Sequence, residues 1–147
     1  MAQSVATLSP QDAIVFLMVL ASASDGSITQ GELRTIGRVV RSYPLFGPGD
    51  EDRLVKTAEE AGALMSSEGG LHKVISAAQS ALPSHLGETA YAAVVDVVTA
   101  DENLQMEEIR VLELVRDALK VTDDGAAAIE HAARARHMTL DRPADAS

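Results

Sequence analysis

Residues 90–100, Ala90-Tyr91-Ala92-Ala93-Val94-Val95-Asp96-Val97-Val98-Thr99-Ala100, decide the fold class. Val94, Val95, Val97 and Val98 would suit a strand, where β-branched side chains pack well on a pleated surface. Yet it lies in a stretch of 12 or more residues without Gly or Pro and carries alanines at 90, 92, 93 and 100. Its Tyr91, Val94, Val95 and Val98 fall at the i, i+3, i+4, i+7 spacing of one helix face. The spacing predicts a helix, and with it an all-α chain.

Working outward, every other apolar stripe has the same period. Upstream, Ser9-Pro10-Gln11-Asp12 has the form of a helix start, with Ser to cap, Pro at the first helical position and Asp to complement the dipole. Ile14, Leu17, Met18 and Ala21 continue it, predicting a first helix over about 10–24. Thr29-Gln30-Gly31-Glu32 is a capping box opening a second helix with Leu33, Ile36 and Val40, ended by Pro44. Gly47-Pro48-Gly49 reads as a loop. A third stripe, Leu54, Ala58, Ala61 and Met65, closes at Gly69-Gly70, and a fourth, Leu71, Val74, Ile75, Ala78 and Leu82, stops at Pro83. Downstream of the deciding segment, a sixth helix over about 105–120 carries Ile109, Leu112, Val115 and Leu119, and Thr122 caps a seventh with Ile129 and Ala133. The expectation is a single compact helical bundle of about seven helices over residues 10–138, between an N-terminal extension (1–9) and a polar tail (139–147).

Composition narrows the function. The 147 residues suffice for one ordinary domain. Acids outnumber bases 22 to 12, a net charge of −10 that repels a phosphate backbone, which argues against nucleic acid. Without cysteine there is no thiolate nucleophile and no Cys-ligated metal. The apolar run 13–23 falls short of the ~20 residues that span a bilayer and lacks a basic flank, so a soluble cytoplasmic chain without direct membrane insertion is expected.

Sliding the chain by 76 residues superposes the first two helices on the fifth and sixth. Asp12 falls on Glu88, Asp25 on Asp101, Ile28 on Leu104, Glu32 on Glu108, Arg34 on Arg110 and Val39 on Val115. Acids match in place and core positions match in type, which points to two pseudo-equivalent helical hairpins. Each hairpin has an acidic loop. The first, Asp25-Gly26-Ser27-Ile28-Thr29-Gln30-Gly31-Glu32, has the form of the second half of an EF-hand calcium loop. The earlier oxygen ligands such a loop needs are replaced by Ala21 and Ala23, and by Val97 and Thr99 in the second copy, where Glu102 also replaces Gly26. As an EF-hand it fails.

The stretch 23–33, Ala-Ser-Asp-Gly-Ser-Ile-x-x-x-Glu-Leu, and the stretch 100–109, Ala-Asp-Glu-Asn-Leu-x-x-x-Glu-Ile, resemble TerB-type tellurite-resistance domains. The likeness runs from about Pro10 to His137 and includes Leu119-Lys120-Val121-Thr122 before the last helix. It implies a helical bundle without enzymatic activity, found in bacterial stress-response and tellurite-resistance systems and proposed to hold a divalent metal through its acids. Asp25, Glu32, Asp101 and Glu108 are then the candidate ligands, and calcium or magnesium the candidate ion, since hard cations take several converging carboxylate oxygens.

Each residue also has a plainer role. Asp25 and Asp101 suit turns in which Asp bonds nearby backbone N–H groups, and Glu32 sits at the third position of a capping box. Asp12 and Glu88 suit helix dipoles, Arg34, Arg38 and Arg41 a solvated face. His72, His85, His131 and His137 have no paired ligand spacing, and neither a nucleophile elbow nor a phosphate-cradling glycine loop is present. The residues leave three classes open. One is a non-enzymatic module binding a divalent ion, a protein partner, or both. A second is a purely structural interaction or self-association domain using the alanine-rich faces of the fifth and seventh helices. The third is a metal-dependent hydrolase working through paired carboxylates. Tellurite is itself an oxyanion, and the acidic surface opposes its direct binding.

Overall fold

The computed structural model describes residues 8–23, 27–100 and 106–141, apart from the side chain of Glu107. These residues form eight α-helices, one 3-10 turn and no strand. In chain order the helices are α1 (Pro10–Ser22), α2 (Gln30–Ser42), α3 (Pro48–Asp52), α4 (Leu54–Ser66), α5 (Gly70–Ala81), α6 (Gly87–Ala100), α7 (Met106–Ala118) and α8 (Asp123–Arg136), with the 3-10 turn at Ser84–Leu86. The deciding segment is helical.

α1 is the centre of the bundle. All nine residues from Ala13 to Ala21 are buried, as expected of a helix apolar on every side. It packs against α4, α5 and α6 and touches α2 and α7. Ser9 caps it, its Oγ accepting from the Asp12 N–H at 3.0 Å, with Pro10 in the first turn. α6 is enclosed almost as fully, with Ala90, Tyr91, Ala93, Val94, Val95, Val97 and Val98 buried. That enclosure explains its valines: tertiary packing on most of its sides outweighs their modest helix propensity.

One expectation needs correction. The segment from Gly47 is not only a loop, because Pro48 opens the short helix α3 and the Asp50 carboxylate turns back to accept from the Gly47 N–H at 2.8 Å. Arg53 then ties α3 to α1, its Nη2 lying 2.6 Å from Asp12 Oδ1 and its Nη1 3.3 Å from Asp50 Oδ1. The hydrogen bond with Asp12 holds the guanidinium pKa above its usual value. Part of the alanine-rich surface of α6 and α8 is buried between the two helices, while Ala127, Ala128 and Ala135 of α8 are exposed. The buried part comprises Ala90, Ala93, Ala126 and Ala133, all at most 1% exposed where α6 packs against α8.

α6 and α8 run side by side in the same direction. Glu88 Oε2 lies over the first turn of α8, only 2.6 Å from where a Cβ on Gly125 would stand. Further along, Tyr91 Oη donates to Glu130 at 2.6 Å, and Asp96 meets Arg136 at 2.7 Å. Glu88 therefore serves the N-terminus of α8, where a negative charge is favourable, as well as lying in the first turn of its own helix. No helix among the described residues is long and apolar enough to cross a membrane.

Candidate functional site

Helices α2 and α7 begin 76 residues apart, at Gln30 and Met106, and each carries a glutamate as its third residue. Glu32 and Glu108 line one cleft of about 240 Å³. Its remaining lining is Ser22 from the end of α1, Gly31 and Thr35 from α2, and Val97, Val98 and Ala100 from the last turn of α6. The cleft thus joins both halves of the chain.

Local chemistry sets Glu32 in place. Thr29 Oγ1 accepts from the Glu32 N–H at 3.0 Å, and Glu32 Oε1 accepts from the Thr29 N–H at 2.9 Å, so the capping box is complete. The hydroxyls of Thr35 and Ser22 donate to carbonyls four residues back, at 3.1 and 2.9 Å. A hydroxyl oxygen that has donated its proton still has lone pairs to offer. Arg34 and Arg110 are exposed and do not line the cleft, and neither do Arg38, which bonds Thr35, and Arg41, which pairs with Glu51 at 2.6 Å.

The electrostatics favour partial neutralisation. A helix N-terminus is worth roughly half a positive charge, so the two helix ends offset about one of the two glutamate charges. Among the described residues no group of three or more His, Cys, Asp and Glu side chains is placed to hold a metal ion. Asp25 and Asp101 lie outside the described residues. A hard cation with six to eight oxygen ligands would need them, or their equivalents, in addition to the two glutamates.

A second polar site was not foreseen from the sequence. Asp96, 5% exposed in the middle of the Val94–Val98 run, accepts from Tyr43 Oη at 2.6 Å and from Arg136 Nη2 at 2.7 Å, and its Oδ1 lies 3.2 Å from His137 Nε2. Burial, reinforced by the Asp96 carboxylate, pushes the Tyr43 phenol well above its usual pKa, so it stays a donor. The hydrogen bond to Asp96 likewise raises Arg136. The available signal was a lone acid inside an apolar run, since a buried carboxylate demands partners. Next to this cluster, Tyr43, Pro44, Leu45, Leu86, Ala92 and Ile129 line an open apolar groove of about 470 Å³, with Glu88 and Thr89 at its edge.

Comparison with known proteins accords with this architecture. No curated protein and no solved structure matches the chain significantly. A family model described as tellurite resistance protein TerB matches residues 11–131, which takes in α1 to α7, the cleft glutamates and most of α8. With a match over most of its length, the chain belongs to the TerB family.

Proposed function

We propose that this TerB domain is a non-enzymatic, cytoplasmic module of bacterial tellurite resistance and stress response that takes up a divalent cation, calcium or magnesium, between its two acidic hairpins. Asp25, Glu32, Asp101 and Glu108 are the proposed ligands. The observation that carries the reading is the convergence of Glu32 and Glu108 on one cleft from helices 76 residues apart. Two carboxylates lining one cleft beside Val97, Val98 and Ala100 repel each other, and a cation between them would relieve that repulsion.

Binding to the folded state alone stabilises it by about 2.7 kcal/mol at a ligand concentration of 100 times Kd. For a chain of this size that is a rise of roughly 6–10 °C in Tm. Millimolar calcium or magnesium is expected to raise the melting temperature of the wild type, and Asp25→Asn with Asp101→Asn to abolish the rise. A wild type indifferent to both ions would return all four acids to capping and turn roles.

The proposed module also meets a protein partner or a second copy of itself. Supporting this, Met106 is 77% exposed and Ile109 38% exposed on the first turns of α7, flanking Glu108. Light scattering of the purified chain with and without the ion, with Met106→Ser as the control, tests for self-association there.

A further inference from the structure

Two apolar features meet near Asp96, and neither shares a residue with the acidic cleft. The first is the open groove of about 470 Å³ walled by Tyr43, Leu45, Leu86, Ala92 and Ile129. The second is the segment that follows α8, where Met138 is 42% exposed and Leu140 fully so. They are neighbours, because Tyr43 and His137 both bond Asp96 and the chain therefore leaves α8 next to the wall of the groove.

The chain's own tail does not fill its groove. Ile129 stands about 12 Å before His137 along α8, and Leu86, Glu88 and Thr89 lie at the start of α6, so Met138 and Leu140 would have to turn back along the bundle to reach them. In the structure neither residue lines the groove. A second copy needs no such reversal. When two α8 helices lie antiparallel about a two-fold axis, the end of each stands beside the start of the other, and each tail runs on to the other's groove. The contact is then reciprocal and closed, as in an isologous dimer.

Charge selects the same arrangement. The last turn of α8 is basic, with Arg134 and Arg136, and its first turn is acidic, with Asp123 and Asp124. Glu88, at the edge of the groove, lies over that acidic turn. Arg134, Asp124 and Glu88 are exposed and make no ion pair among the described residues. Antiparallel α8 helices set the basic end of one copy against the acidic start of the other, twice, which locally offsets the repulsion between two chains of net charge −10. A parallel pairing would set like charges together.

We propose that the groove is a docking site for the Met138-Thr139-Leu140 segment of a second copy of this chain, giving a two-fold homodimer with the α8 helices at its centre. Met138 and Leu140 are two residues apart, so in an extended segment both side chains fall on one side and Thr139 on the other. Two apolar side chains enter an apolar groove while the basic turn before them meets the acidic edge. The surface is independent of the cation and of the exposed Met106 on α7.

The test uses the full chain without added metal. Light scattering over a concentration series should show a mass rising toward twice the 15.5 kDa of one chain. Met138→Ser with Leu140→Ser, both at exposed positions, should weaken association about 10-fold or more at unchanged helical circular dichroism, and Met106→Ser should leave it as it is. Ala92→Gln, which narrows the groove, should weaken it as the tail variant does. In a mixture of isotope-labelled and unlabelled chains, nuclear Overhauser contacts are expected between Met138 of one copy and Tyr43 or Ile129 of the other. A chain that stays monomeric up to millimolar concentration overturns the proposal. So does a dimer that keeps its affinity in the tail variant, and if Met106→Ser abolishes that dimer the interface is the surface of α7 instead. Contacts between Met138 and Ile129 within single chains of a monomeric sample assign the groove to the chain's own tail and overturn the second copy as its occupant. Should Ala92→Gln fail to fold, the tail variant and the mixed-label contacts decide by themselves.

Discussion

The chain has two tyrosines and no tryptophan, so phenolate absorbance on raising the pH reports Tyr43 and Tyr91 alone. Both phenols donate to carboxylates at 2.6 Å, Tyr43 to Asp96 and Tyr91 to Glu130. Burial first, and the adjacent carboxylate second, holds each above its usual pKa of 10.0. The raised folded value means that stability is fully present below about pH 10 and falls as the pH rises beyond it, because the unfolded chain releases those protons first. Each phenol that stays protonated in the native state while ionised in the unfolded one contributes a slope of about 1.4 kcal/mol per pH unit, or about 2.7 for the pair. A domain with roughly 5–15 kcal/mol of stability reaches its limit a few units above pH 10. The expected result is a phenolate signal that appears in one cooperative step, coincident with the loss of helical circular dichroism. Tyr43→Phe or Tyr91→Phe should halve the slope of stability against pH. A gradual rise of phenolate absorbance centred near pH 10, with helical signal intact, would refute the burial and hydrogen bonding of these phenols as described.

Two further perturbations test the packing and the caps. At Gly70, where α5 starts beneath the end of α4, an added Cβ would lie 2.0 Å from the Met65 carbonyl oxygen, a backbone atom that cannot swing aside. Gly70→Ala should therefore cost about 3 kcal/mol, the upper end for overpacking, whereas Gly31→Ala, with nothing nearer than 3.9 Å, should gain about 0.4–1 kcal/mol; denaturant melts showing equal effects would contradict the geometry. Lys120 ends α7 with φ at 59°, inside paired bonds from Val121 N to Arg116 O and from Lys120 N to Asp117 O, both 3.1 Å. Lys120→Gly relieves the left-handed strain and should raise stability by about 0.5–1 kcal/mol after losing a favourable charge at the helix end, with a lowered Tm as the contrary outcome.

Regular elements were legible because their signals are local. Ser9-Pro10, Thr29-Glu32 and Thr122 mark helix starts by chemistry confined to four residues, and each bond they predict is present. α3 was missed because Gly47-Pro48-Gly49 looks like a loop until Asp50 is seen to bond back to the Gly47 N–H and Arg53 to reach Asp12, 41 residues away. Glu32 and Glu108, paired by the match at 76 residues, both line one cleft, while Asp25 and Asp101 lie outside the described residues. Asp96 carried no such sign. Its partners at 43, 136 and 137 share no spacing with it, and His137 read as an ordinary helix-end residue. Periodicity identifies which face of a helix is buried, but not which distant polar groups answer a charge on that face.

Capping and ligation at Glu32 compete less than they first suggest. The capping box uses Oε1 for the Thr29 N–H, while the reciprocal bond, from the Glu32 N–H to Thr29 Oγ1, belongs to the threonine. Drawing the Glu32 carboxylate fully onto a cation would therefore remove one of the two bonds and keep the one that holds the helix start. Losing a whole N-cap costs about 1 kcal/mol, so losing half of the box costs less than that. Against it stands the gain from binding, which passes 2 kcal/mol once the ion exceeds its Kd by about 100-fold. The same glutamate can thus fix the first turn of α2 without the ion and serve as a ligand with it. A helix N-terminus opposes a cation by only about half a charge, so placing both glutamates there costs the proposed site little and gives each a defined starting position.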